Sequence, residues 1–240
     1  LSILLLASVV MVGVATASPG LSVTVSTDKQ FYYPRQKVTI YGNLMLNASP
    51  VPDGLVALQI NDPNGGLFVF RTLPTGTTPK DSKVKIVDVI PCDGVYWNPK
   101  NNFKTSEWLY VNVTVRNDDA YWHTVLVTVS VYDGNQNPIG LATPSSTQIG
   151  ARSSQSFYKN VWIPAWAYIG NATVFANVYT DFPQWSGSAY SREGSATFQI
   201  INVETSYNSA GLETLQTNGS YSTTFTLSPD PLIGTYMVYV

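Results

Sequence analysis

From Leu21 onward, apolar and polar residues alternate with a period of two, in runs closed by clusters of Pro, Gly, Asn and Asp. A period of two places one set of side chains on each face of an extended strand, whereas a helix needs a period near 3.6. The runs are Leu21–Ser26, Val38–Leu44, Val56–Ile60, Leu67–Thr72, Ser106–Arg116, Val125–Tyr132, Phe157–Pro164, Ala172–Tyr179, Asn218–Leu227 and Gly234–Val240. Between them lie turn signals such as Pro52-Asp53-Gly54, Asn61-Asp62-Pro63-Asn64-Gly65-Gly66 and Asp133-Gly134-Asn135. Short strands separated by such turns, with no sustained helical period, predict an all-β protein of sandwich type.

Composition narrows the function classes. The 240 residues leave room for two domains. Hydrophobic residues make up 44% of the chain and charged ones only 12%, about half the usual quarter. Such a chain buries real cores and is not disordered. A net charge of −2 leaves no basic footprint for nucleic acid or an anionic membrane surface. One cysteine, Cys92, rules out an intramolecular disulfide and is expected to pack as a small apolar residue. One histidine, His123, sits in a strand-like run. One His and one Cys supply neither a metal cluster nor a nucleophile relay. The expectation is a protein that is no enzyme and carries no cofactor or metal.

Residues 1–17, LSILLLASVVMVGVATA, carry no charge. Three fates are open. The small residues at Ala15 and Ala17 fit the cleavage rule of a secretory signal, although a basic n-region and an initial Met are missing. A membrane anchor is possible but short, since 17 helical residues rise about 26 Å against a bilayer core of about 30 Å. The third fate is an ordered part of the mature protein. Val9, Val10, Val12 and Val14 favour an extended form, and a detached apolar strand suits β-augmentation of a neighbouring copy. Ile3, Leu5, Val9, Met11, Val12 and Val14 are the candidate pocket-filling residues of that donor strand.

The run Tyr33-Pro34-Arg35-Gln36-Lys37-Val38-Thr39-Ile40-Tyr41-Gly42 resembles the Y-x-P-G-x-x-V-x-I-x-G signature of macroglobulin-like sandwich domains on archaeal cell surfaces. Arg35 stands where the family has Gly. The closing strands such domains carry are absent after Thr72 and are found as Asn218–Leu227 and Gly234–Val240. The stretch between is similar to the CARDB-like domains of microbial envelope proteins. The resemblance therefore implies two immunoglobulin-like sandwiches, the second inserted in the first. The segments are 1–20, apolar; 21–77 with 204–240, a split sandwich; and 78–203, the insert.

Four Asn-x-Ser/Thr sequons, at Asn47, Asn112, Asn171 and Asn218, are candidate N-glycosylation sites in an exported chain. Asp62 and Asp133 sit in turns whose oxygens could serve Ca²⁺, but Asp and Asn also stabilise turns through their own backbone, and that reading is preferred. Trp162, Trp166, Tyr168, Phe182, Trp185 and Tyr190 form an aromatic-rich stretch. Core packing accounts for Trp162, while Trp185, in a loop-like segment, is the candidate surface contact. Taken together, the chain resembles subunits of archaeal extracellular filaments of thread or pilin type. That implies a cell-surface glycoprotein homopolymer joined head to tail by donor-strand complementation, with no stable membrane span in the mature protein. The alternative is a secreted or S-layer-associated adhesin that binds surface carbohydrate.

Overall fold

A computed structural model describes residues 20–77, 82–202 and 219–240. Leu1–Ala17, with all six donor-strand candidates, Asn218, and the proposed junctions near 78 and 203 lie outside the described residues. Within them the protein is all-β, with one short 3-10 turn and no α-helix.

The N-terminal strands are β1 (Leu21–Val23), β2 (Ser26–Thr27), β3 (Lys37–Leu46), β4 (Ser49–Pro50), β5 (Leu55–Asn61) and β6 (Leu67–Pro74). The middle of the chain supplies β7 (Val84–Cys92), β8 (Asn102–Lys104), β9 (Glu107–Asn117), β10 (His123–Tyr132), β11 (Pro138–Leu141), β12 (Ser145–Ile149), β13 (Ser154–Ile163), β14 (Gly170–Tyr179) and β15 (Gly194–Ile201). The last two are β16 (Ser220–Thr226) and β17 (Met237–Tyr239).

These strands form four sheets. β3 is the hub of the first, pairing with β1, β2, β4 and β16. The second runs β17-β5-β6, so both C-terminal strands pair with strands from the start of the chain. The middle strands pair among themselves, as β13-β9-β7 and as β11-β10-β14-β15-β8 with β12 beside β10.

Alternation explains each core. On β3, Val38, Ile40 and Leu44 point inward and meet Val56, Leu58 and Ile60 of β5, with Tyr221, Phe225 and Val238 closing the layer. Gly42 continues the inward row because Thr24 crosses there. A Cβ at Gly42 would lie 1.8 Å from the Thr24 carbonyl, which also accepts the Tyr221 hydroxyl at 2.7 Å. The same crossing splits the run predicted at Leu21–Ser26 into two strands, pairing with different parts of β3. The second core is Val-rich. Val111, Val113 and Val115 of β9 face Val125, Val127, Val129 and Val131 of β10.

β10 and β14 are buried on both faces, although Thr128, Ser130 and Asn177 keep their sequences alternating. Their outer residues meet β6. Ser130 Oγ accepts the Phe70 N–H at 3.0 Å and donates to the Phe70 carbonyl at 3.1 Å. Asn177 Nδ2 also donates to that carbonyl, at 3.3 Å, and the Tyr179 hydroxyl donates to the Arg71 carbonyl at 2.8 Å. Side chains thus satisfy the free edge of β6, a groove that would otherwise invite another strand. Thr128 Oγ1 faces the same contact, buried and without a hydrogen-bond partner. Burying an unpaired hydroxyl is unfavourable, so Thr128→Val is expected to raise stability by about 0.5–1.5 kcal/mol. A urea titration reads the change, and a fall in midpoint would contradict it.

Candidate functional site

Three features are built where the two groups of sheets meet or turn outward. The first is a buried ion pair. Arg71, on β6, directs Nε and Nη2 at the Glu193 carboxylate, at 2.9 and 2.6 Å, and Glu193 also accepts the Thr72 N–H at 3.2 Å. The guanidinium lies 3.7 Å from the centre of the Phe175 ring and 5.4 Å from that of Tyr132. Burial works against its charge, but the Glu193 carboxylate outweighs burial and pushes the Arg71 pKa above its ordinary value. Arg71 therefore stays charged, tying β6 to a residue just before β15 that is 122 positions away in sequence. Nearby, Gln184 accepts Asn61 Nδ2 at 3.0 Å, docking the 3-10 turn Pro183–Trp185 onto β5.

The second feature is a cleft of about 460 Å³ lined by Arg35, Asn135, Asn137, Trp166, Tyr168, Thr226 and Pro229. Both chain regions contribute walls. Asp133 organises one of them. Its Oδ1 accepts the N–H groups of Asn135 at 3.0 Å and Asn137 at 2.9 Å, and its Oδ2 accepts the Tyr168 N–H at 2.9 Å. A main-chain bond from Thr226 N–H to the Gln136 carbonyl, 2.8 Å, ties the walls together. The Asp133 carboxylate is thus committed to its turn, as is Asp62, which accepts the N–H groups of Asn64 and Gly66. Among the described residues no three His, Cys, Asp or Glu side chains converge on a metal position.

The third feature is the outer face of the β13-β9-β7 sheet. Trp108 and Trp162 face each other across β9 and β13, rings 5.3 Å apart and both nearly half exposed. Core packing was the expectation for Trp162, and it is wrong: Val161 and Ile163 take the inward positions, so the residue between them must point out. Further along this face Trp97 packs 4.5 Å from Tyr158 and 5.4 Å from Tyr110. Trp185 is 63% exposed, its ring edge-on to Phe182.

The sequons differ in access. Asn47 is exposed in the hairpin turn between β3 and β4, with positive φ at Asn47 and Ala48. Asn112 is half-buried in the middle of β9, between Tyr158 and Ile90. Asn171 opens β14, opposite Gln199, to whose amide its side chain bonds. Cys92 is fully buried, and burial raises its thiol pKa. His123 lies 3.0 Å from Asp119; bonds from His123 first, then Lys83, hold that carboxyl down at about 2.

Lys159 was not singled out from the sequence. It points inward from β13, donating to the Thr143 carbonyl at 2.6 Å and to Ser145 Oγ at 2.5 Å, with no ion pair among the described residues, and burial lowers its pKa to about 8. Five buried tyrosines move the other way. Burial first, then the Asp28 hydrogen bond, pushes Tyr32 up to about 12, and burial takes Tyr236 there too. Tyr132, Tyr179 and Tyr221 are also raised by burial. Between about pH 8 and 9 the unfolded chain holds the Lys159 proton that the folded chain has released, so stability rises with pH; from about pH 9 the unfolded Cys92 thiol ionises while the buried one stays neutral, which opposes that rise. Above pH 10 unfolded tyrosines ionise while folded ones stay neutral, so stability falls steeply. A maximum near about pH 9 in denaturant midpoints is expected, and a Lys159→Met variant should lose the rising limb.

No protein-family model matches this chain, and no curated protein matches it. Solved structures show partial likeness. The Pseudomonas fluorescens alkylpurine DNA glycosylase AlkC is 16% identical with a TM-score of 0.37, covering 50% of this chain and 31% of its own. For the C-terminal domain of wzt the figures are 10%, 0.40, 54% and 85%. For a β-glucosidase from Listeria innocua they are 12%, 0.35, 53% and 17%. The chain spans about a third of the glycosylase and a sixth of the glucosidase. At that level of likeness nothing of those proteins' activities transfers to it.

Proposed function

We propose that the chain is a structural subunit of an extracellular filament at the cell surface, with no catalytic role, polymerising head to tail through residues 1–17. The observation that supports this reading is the buried Arg71–Glu193 clamp, together with the side-chain-capped edge of β6. These make one stiff body of sheets that separate linkers would leave free to move. Stiffness serves a load-bearing thread. In this proposal residues 78–203 are a sandwich inserted into a host formed by 21–77 and 204–240. The pairing of β16 with β3 and of β17 with β5 supports that division.

Negative-stain imaging and native mass of the chain with and without residues 1–17 test the reading. Linear fibres are expected from the full chain, and folded monomers from the shortened one. Monomers from both would overturn it. A second reading, a carbohydrate-binding adhesin, is favoured by the cleft with Trp166 and Tyr168 half exposed in its wall.

A further inference from the structure

The wall of the cleft opposite Trp166 and Tyr168 carries a residue that turn chemistry does not explain. Pro34 and Arg35 are the central residues of a turn closed by the Gln36 N–H, which donates to the Tyr33 carbonyl at 3.1 Å. Arg35 has φ 65°. With Pro before it, that is the position where such turns take Gly or Asn, because a Cβ there crowds the backbone. The turn is held in place by two main-chain bonds to β16's end, Arg35 N–H to the Leu227 carbonyl and Leu227 N–H to the Gln36 carbonyl. Strained residues of this kind persist where the surroundings over-determine them, and they cluster at binding sites.

Arg35 lines the cleft and forms no ion pair among the described residues. Trp166, Tyr168, Asn135, Asn137 and Thr226 line it as well, the Asn137 amide donating to Asp133 at 2.9 and 2.8 Å. The volume lies within the range of small-molecule sites. Aromatic faces stack on the C–H face of a sugar ring, and amides and hydroxyls pair with its hydroxyl groups. A guanidinium offers a planar fork that fits a carboxylate with two hydrogen bonds. Because Asp133 and the Thr226–Gln136 bond already fix both walls, little ordering is needed on binding.

We propose that this cleft binds an acidic saccharide, a chain of hexuronic acid residues, with the carboxylate on Arg35 and a sugar ring on Trp166 and Tyr168. The site deepens the adhesin reading, and it stands whether or not the chain polymerises, because binding is read on the full chain in either state.

The test is calorimetric titration of the full chain with tetragalacturonate and with an uncharged glucose tetrasaccharide, following tryptophan fluorescence in parallel. Submillimolar affinity for the acidic chain is expected, at least about tenfold weaker for the neutral one. Trp166→Ala and Arg35→Gly should each weaken acidic binding by about tenfold or more. Arg35→Gly should do so without lowering Tm, since Gly suits the φ of 65°; a purely structural arginine would leave binding unchanged. No binding at millimolar ligand, equal affinity for both saccharides, or an Arg35→Gly variant that binds as before would each overturn the proposal. If Trp166→Ala fails to fold, the Arg35→Gly result decides alone.

Discussion

Replacing Glu193 with Ala is expected to cost about 3–5 kcal/mol of folding stability, a large share of what a folded domain has. The reason lies with the charge left behind. Arg71 has only 6% of its side chain exposed and keeps its proton, so removing Glu193 strands a guanidinium between Phe175 and Tyr132. The Thr72 N–H loses its acceptor as well. Arg71→Met should cost less, because a long apolar side chain fills the space without stranding a charge. Combined with Glu193→Ala, it should recover much of the loss, giving a double-mutant coupling well above the usual surface pair. Urea denaturation of the four proteins measures this. A Glu193→Ala cost below about 1 kcal/mol would show that water reaches the pair.

Deleting residues 219–240 is expected to unfold the strands of 20–77 while leaving those of 82–202 protected. β16 holds seven register positions along β3, from Thr226–Lys37 to Ser220–Asn43. Tyr221, Phe225, Leu227, Tyr236 and Val238 are all buried in the first core. Burying each such side chain contributes roughly 1.5–3 kcal/mol, so their joint loss exceeds what a marginally stable domain can absorb. The second core takes none of these five residues. Hydrogen exchange read by mass spectrometry distinguishes the two regions. Undiminished protection on β3 and β5 after the deletion would sink the nested reading.

Much of this architecture was legible beforehand. Every period-two run contains a strand, because alternation is the direct consequence of one face meeting a core. Arg35 was visible as a departure from a turn motif, although its place in a cleft was not. Val161 and Ile163 by themselves place Trp162 on the outer face, because neighbours along a strand point to opposite sides whatever their size. β7 and β15, and the short β4, β8, β11 and β12, fall outside the period-two runs. β7 is an outer strand with a bulge between Ile86 and Asp88, which breaks its alternation, and β15 carries small polar residues on one side.

The sequence by itself determined the class of fold and the turns, since both follow from residues close along the chain. Period two selects strands, and Asp62, Asp133, Pro34 and the glycines select the bends. Only the tertiary structure decided which strands became neighbours and what gathered at their junction. Arg71 and Glu193 are 122 residues apart, and the cleft draws on residues from Arg35 to Pro229. No local pattern encodes such a meeting, because it arises from how whole sheets pack.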